Sequence, residues 1–144
     1  MTWDPPKADG LTGDAYPSEQ IEAFVDDPAD AHRPGVYTLK CSQPAGFETV
    51  ARRFQNAFDA PAPDWLTDAW AADATFYVGG AKDVFARLEE HAEGTHTPAF
   101  CEVFPVHSIY QVEFFDSEDK AFERESGVAL QLKSDLPGVH VHQR

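Results

Sequence analysis

The chain has 144 residues, and its 25 Asp and Glu against 11 Lys and Arg give a formal charge of -14. That length supports one domain with a real core and appendages, and is too short for two ordinary domains. No apolar run approaches a membrane span, and the opening MTWDPPKADG lacks the basic patch and apolar stretch of a leader, so a soluble cytoplasmic protein with no membrane partner is expected.

The two cysteines, Cys41 and Cys101, are too few for a disulfide framework and form no CxxC-type zinc pair, which leaves buried free thiols. The acidity by itself argues against a nucleic-acid partner, because phosphate binding needs cations that displace counterions. Abundant carboxylates and alanine with few lysines also suit a surface adapted to molar salt, where self-repulsion is screened. On that halophilic reading the charge reports habitat more than partner, and a nucleic-acid enzyme still needs a local basic groove.

Residues 1–34, rich in Pro, Asp and Ala, read as a loosely attached arm with one short helical candidate from Ser18 to Val25. Pro34-Gly35 punctuates the chain, and the alternation from Val36 to Cys41 predicts a strand with Tyr37, Leu39 and Cys41 on one face. Over residues 44–73 the apolar period changes from two to 3.6. Phe47, Val50, Ala51, Phe54 and Phe58 mark one helix, and Trp65, Leu66, Ala69 and Trp70 a second after the break at PAPDW.

Thr75 to Val78 predicts a second strand, stopped by Gly79-Gly80. A helix from about Lys82 to Glu93 follows, with Val84, Phe85, Leu88 and Ala92 as its stripe and Gly94 as its stop. Ser108 to Phe115 predicts a third strand with Tyr110, Val112 and Phe114 on one face, and Asp116-Ser117-Glu118-Asp119 opens a helix running to about Leu132. The ending LPGVHVHQR is either a short strand or a surface segment. His140 and His142 would share a face there, but two histidines without further ligands do not make a metal site, and no role is assigned to them.

Two features carry chemistry. In the last helix Ala121, Phe122, Val128, Ala129 and Leu132 share a face, and at 100° per residue Glu125 lies near its centre, with Glu123 and Arg124 pointing away. A carboxylate there is costly unless a cation, metal or donor set meets it, an internal ion pair being the plainest such arrangement. In the preceding helix Arg87 and His91, four residues apart, flank the apolar stripe. Arg87 pairing with Asp83, and His91 placed at the helix end by the dipole, is the plain alternative to a cleft.

Taken in order, GVY at 35–37, YVGG at 77–80, KDVFARLEEH at 82–91 and AFERE at 121–125 resemble the GIY-YIG nuclease family, GVY standing for GIY and YVG for YIG. The resemblance covers roughly residues 35–56 and 74–132. It implies an α/β (α+β) fold, with a small, mainly antiparallel three-stranded sheet flanked by helices over residues 35–144; the helical segment at about 44–73 is an insertion between the tyrosine strands, where family members usually have a short turn. It departs from the family after Glu125, where a basic pair common in relatives is replaced by Ser126-Gly127-Val128-Ala129.

The activity implied is metal-dependent phosphodiester hydrolysis in nucleic acid, with DNA favoured. Glu125 would hold Mg²⁺ or Mn²⁺, Arg87 would contact the scissile phosphate, Tyr37 would be general base, and Tyr77 and His91 would position groups or relay a proton. Gly79, Lys82, Arg52 and Arg53 are the substrate-binding candidates, with Lys40, Lys120 and Arg124 as further nearby cations. Arg52 and Arg53 read equally well as solvated charges on an amphipathic helix. The alternative function is an inactive scaffold that binds another protein through Phe58, Trp65 and Trp70. Oligomeric state is not legible.

Overall fold

A computed structural model describes residues 32–44, 46–93 and 96–143. The arm as far as residue 31, with its helical candidate, and the helix stop at Gly94 lie outside the described residues.

The alternating segments pair as the pattern predicts. Strand β1, Gly35–Cys41, lies antiparallel to β2, Ala74–Ala81, with Tyr37 opposite Gly79 and Leu39 opposite Tyr77. The other edge of β1 takes β3, Val106–Phe114, also antiparallel. Among the described residues the sheet has four strands rather than three. After the chain turns at Gly138, whose φ is +86°, Val139–Gln143 forms β4 parallel to β2, giving the order β3-β1-β2-β4. Val141 supplies the apolar contact that holds this short strand, being buried with Phe76 and Val78.

Residues 44–73 form a helical excursion from the β1–β2 hairpin: α1, Phe47–Phe58, and α2, Asp64–Ala71. It leaves the hairpin register intact from the Gly35–Ala81 pair to the Cys41–Thr75 pair. Gln43 fastens its base, donating from Nε2 to the carbonyls of Ala69 at 2.9 Å and Ala72 at 2.7 Å, and the Trp70 indole donates to Pro44 O at 2.9 Å. Phe58 stacks on Phe54 at 4.3 Å, Trp65 on His140 at 5.6 Å, and Trp70 sets its edge against Phe47. The aromatics considered for docking a partner are thus packed against the chain's own core.

Helix α3, Val84–Glu93, follows β2, and a five-residue helix α4, Ala99–Val103, which the sequence pattern does not announce, buries Phe100, Cys101 and Val103. Helix α5, Glu118–Asp135, starts at Ser117, whose hydroxyl accepts the Lys120 amide at 3.3 Å, and continues through Gly127 beyond Leu132.

The sheet separates two apolar layers. Tyr37, Leu39 and Tyr77 pack with Leu88, Phe100 and Phe104 on one face, whereas Val36, Phe76 and Val78 pack under Val128, Ala129 and Leu132 of α5 on the other. One expectation for β3 fails. The β1–β3 register shifts between Thr38 and Leu39, so Tyr110 turns to the α5 face against Phe76 at 4.9 Å, while Ile109 takes the core position beside Leu39. A bulge inserts one residue and reverses the alternation beyond it.

Cys41 and Cys101 are buried and free. A hydrogen-bond contact with Cys101, followed by burial, holds the Cys41 thiol well above its ordinary pKa, which keeps it protonated and unreactive. Among the described residues no helix is long and apolar enough to cross a membrane.

Candidate active site

The C-terminal end of β2 is where the sheet is thinnest. Strand β4 accompanies β2 from Ala74 to Val78, so Gly79, Gly80 and Ala81 have no described strand partner on that side. Neighbouring residues of a strand face opposite ways, and the two glycines accordingly admit side chains from opposite layers. The Tyr37 hydroxyl lies 2.6 Å from where a Cβ on Gly79 would stand, and Glu125 Oε2 lies 3.0 Å from the corresponding point on Gly80, with Phe122 Cδ1 at 2.7 Å. No other residue type leaves room for both approaches.

Tyr37 is completely buried, and its hydroxyl is 3.1 Å from His91 Nε2. His91 reaches it because α3 turns Val84 and Leu88 into the core and His91 is one turn beyond Arg87. Burial first, and the Arg87 charge second, lower the His91 pKa to about 3, so the imidazole is neutral at ordinary pH. Its Nδ1 is buried with no hydrogen-bond partner among the described residues. A proton there would be an orphaned buried donor. Placing it on Nε2 instead lets the ring donate to the tyrosine oxygen and leaves Nδ1 a bare lone pair, the less costly arrangement.

Arg87 emerges at the rim. Its Nη2 donates to His96 O at 3.1 Å, and its Nη1 is 3.7 Å from Glu90, whose carboxylate also meets His96 Nδ1 at 2.7 Å. Asp83 does not pair with Arg87. Its carboxylate accepts the Ala86 amide at 3.0 Å at the start of α3 and meets the His32 ring. Lys82 is exposed beside it.

An open cleft of about 310 Å³ runs between α3 and α5 around this end of β2, lined by Gly80, Lys82, Asp83, Arg87, Glu118 and Phe122 among others. Glu125 is buried on the same face of α5, one turn beyond Phe122. The sequence reading missed Glu118 and Phe122 as wall residues, although their spacing of seven and three from Glu125 puts all three on one helix face.

Tyr37, His91, Arg87, Glu125, Gly79 and Lys82 therefore gather in and immediately behind one end of the sheet. Tyr77 is two residues deeper, its ring 6.5 Å from Tyr37, 6.0 Å from His91 and stacked near Phe100 and His142, so it forms the back wall. Arg52 and Arg53 are outside the cleft. Arg52 is exposed on α1, and Arg53 donates to Val103 O at 3.5 Å beside a separate surface hollow with Asn56, Ala57 and Glu102. They belong to the excursion, which leaves the hairpin at the Cys41 end, and the cleft is at the Ala81 end.

The chain is similar to UPF0213 proteins. It is 39% identical to those of Staphylococcus aureus strains Mu3, Mu50 and N315 over 54 residues, which make up 38% of this chain and 65% of each relative. The chain thus spans just under two thirds of the length of these curated relatives. No family model matches the chain, and no solved structure matches it.

Among the described residues no group of three or more His, Cys, Asp or Glu is arranged to hold a metal ion. A hard cation such as Mg²⁺ keeps several waters and takes only one or two carboxylates together with substrate oxygens. A buried carboxylate against a glycine at a cleft's floor fits that requirement. His140 and His142 do share a face of β4, as expected, but it points toward Trp65 and Phe100, and burial lowers both pKa values, that of His142 to about 4.

Proposed function

We propose that the chain is a metal-dependent endonuclease of the GIY-YIG type that hydrolyses phosphodiester bonds in nucleic acid, with DNA the favoured substrate. The observation that carries the reading is the approach of Tyr37 and Glu125 to opposite sides of Gly79-Gly80, beside a cleft lined by Arg87 and Lys82. The likeness to UPF0213 proteins supports it, since that family is GIY-YIG-like.

Each side chain has a task in such a reaction. The Arg87 fork takes two oxygens of the scissile phosphate, which displace Glu90 from it. Lys82 holds a neighbouring phosphate as a point charge. Tyr37 acts in its phenolate form, taking the proton of the attacking water across the bare Cα of Gly79 and becoming the phenol, and the His91 Nε2–H donates to that phenolate beforehand, which the ordinary tyrosine pKa near 10 makes necessary. Glu125 would hold one Mg²⁺ or Mn²⁺, which when bound supplies neutralisation of charge at the phosphate. Tyr77 keeps the Tyr37 and His91 rings in place from behind.

The test is Glu125→Gln, which removes a charge while nearly preserving shape. Cleavage of labelled DNA with Mg²⁺ or Mn²⁺ is expected to disappear while the thermal midpoint changes little. If Glu125 instead balances a buried cation, the variant unfolds about 3 kcal/mol more easily. Undiminished cutting by the variant, or no cutting by the wild type in any metal from low to molar salt, transfers the assignment to a non-catalytic scaffold.

A further inference from the structure

Arg87 does not stand open at the rim. Both of its terminal nitrogens are taken: Nη1 lies 3.7 Å from Glu90 Oε2, and Nη2 donates to His96 O at 3.1 Å. The two acceptors are themselves joined, because His96 Nδ1 is 2.7 Å from that same Glu90 oxygen. His96 presents its carbonyl to Arg87 and its ring to Glu90 from a left-handed backbone, with φ at +50°, a conformation uncommon for a residue other than glycine. Glu90 follows Arg87 by three residues on α3, so helix geometry sets that half of the ring.

The cleft lining includes the carboxylates of Asp83, Glu90 and Glu118 against the cations of Lys82 and Arg87. That excess disfavours anions in general, and an anion that binds Arg87 must replace the acceptors already there. Those are one carboxylate oxygen and one carbonyl oxygen, on separate nitrogens of a planar fork. A phosphodiester brings two non-bridging oxygens and replaces both at once. A chloride ion replaces one, leaves the other in place, and meets the Glu90 charge beside it.

We infer that Glu90 and His96 form a clip that closes the Arg87 fork to one-point anions and yields it to an anion with two oxygens. Glu90 is then a positioning residue, which acts through Arg87. The clip is easily opened, since a partly exposed ion pair of this kind is worth about two- to fivefold in an equilibrium. Its use in selecting a substrate rests on the reading of Arg87 as the phosphate contact, but the clip itself does not.

Two measurements on the full chain test this. Phenylglyoxal labelling with peptide mapping reports how available Arg87 is, with the exposed Arg52 as internal standard. Arg87 is expected to react about two- to fivefold faster in Glu90→Gln than in the wild type, and at the wild-type rate in Glu118→Gln, which removes the same charge from the opposite wall. No acceleration in Glu90→Gln, or equal acceleration in both variants, overturns the clip. In the wild type, dimethyl phosphate is expected to slow the Arg87 reaction more than KCl of the same ionic strength, and in Glu90→Gln that difference narrows. Equal slowing by the two salts in the wild type overturns the selectivity. The second measurement is anisotropy of a fluorescein-labelled oligonucleotide in about 0.1 M KCl. Glu90→Gln is expected to tighten binding about two- to fivefold more than Glu118→Gln, and adding Arg87→Gln to each removes that excess. Equal gains, or an excess that survives the loss of Arg87, overturn the role of the clip in substrate binding. If no form of the protein binds the oligonucleotide, the nuclease reading fails, and the labelling rates alone decide the clip.

Discussion

Adding one methyl group at Gly79 tests the centre of the site. A Cβ there would lie 2.6 Å from the Tyr37 oxygen and 2.8 Å from its Cζ, closer than real contacts allow. Tyr37 has little room to yield, because it is fully buried between Tyr77 and His91 and its hydroxyl bonds His91. Overpacking of this kind costs about 1–3 kcal/mol, of which about 0.5–1 kcal/mol is recovered because alanine orders a strand at less entropic cost than glycine. A net loss of about 1–2 kcal/mol lowers the melting temperature of a domain this size by roughly 4–10 °C. Gly79→Ala should show that drop by circular dichroism and should abolish cleavage, since the ring must leave the strand edge. At Gly80 the crowded atoms are the Phe122 ring edge and the Glu125 carboxylate tip, so Gly80→Ala should impair cutting with a smaller loss of stability. A Gly79→Ala protein that melts within about 1 °C of the wild type and still cuts would refute the packing argument and, with it, the placement of Tyr37 at the reacting centre.

Acid should destabilise the fold through its histidines. The His91 pKa is lowered from 6.5 to about 3 and that of His142 to about 4, so between those limits the unfolded chain binds more protons. Their contribution to stability is complete above pH 6.5 and is lost as the pH falls toward 3. Melting temperatures from pH 7 to 4.5 should fall less steeply for His91→Gln than for the wild type, and equal slopes would contradict the buried neutral imidazole. Salt should act in the opposite sense. With a net charge of -14, melting temperature is expected to rise from low to molar KCl as self-repulsion is screened. A flat curve would remove the halophilic reading and leave the acidity counting against a nucleic-acid partner.

Local periodicity carried the elements that repeat within a few residues. Tyr37, Leu39 and Cys41 alternate, Phe47, Val50 and Phe54 recur at helical spacing, and the structure forms β1 and α1 from them. The same geometry put Glu125 on the inner face of α5 before any partner was known, because a residue's angle on a helix depends only on its count along the chain. The motif order supplied the pairing of the tyrosine strands, and the change of period supplied the excursion between them.

Contacts between distant residues were decided by the tertiary structure alone. The bulge that turns Tyr110 over arises from the fit of β3 to β1, and the fourth strand from the fit of Val141 to the layer under α5. Arg52 and Arg53 stood as substrate-binding candidates only while the direction of the excursion was unknown. The bond from Tyr37 to His91 joins residues 54 apart, and Gly80 meets Glu125 across a connection of 45, so no repeat in the sequence could announce either. Glycine records where a side chain is absent but not which one fills the space. That choice belongs to the packing of α3 and α5 on opposite faces of one strand, which brings a phenol and a carboxylate to adjacent residues from two separate layers.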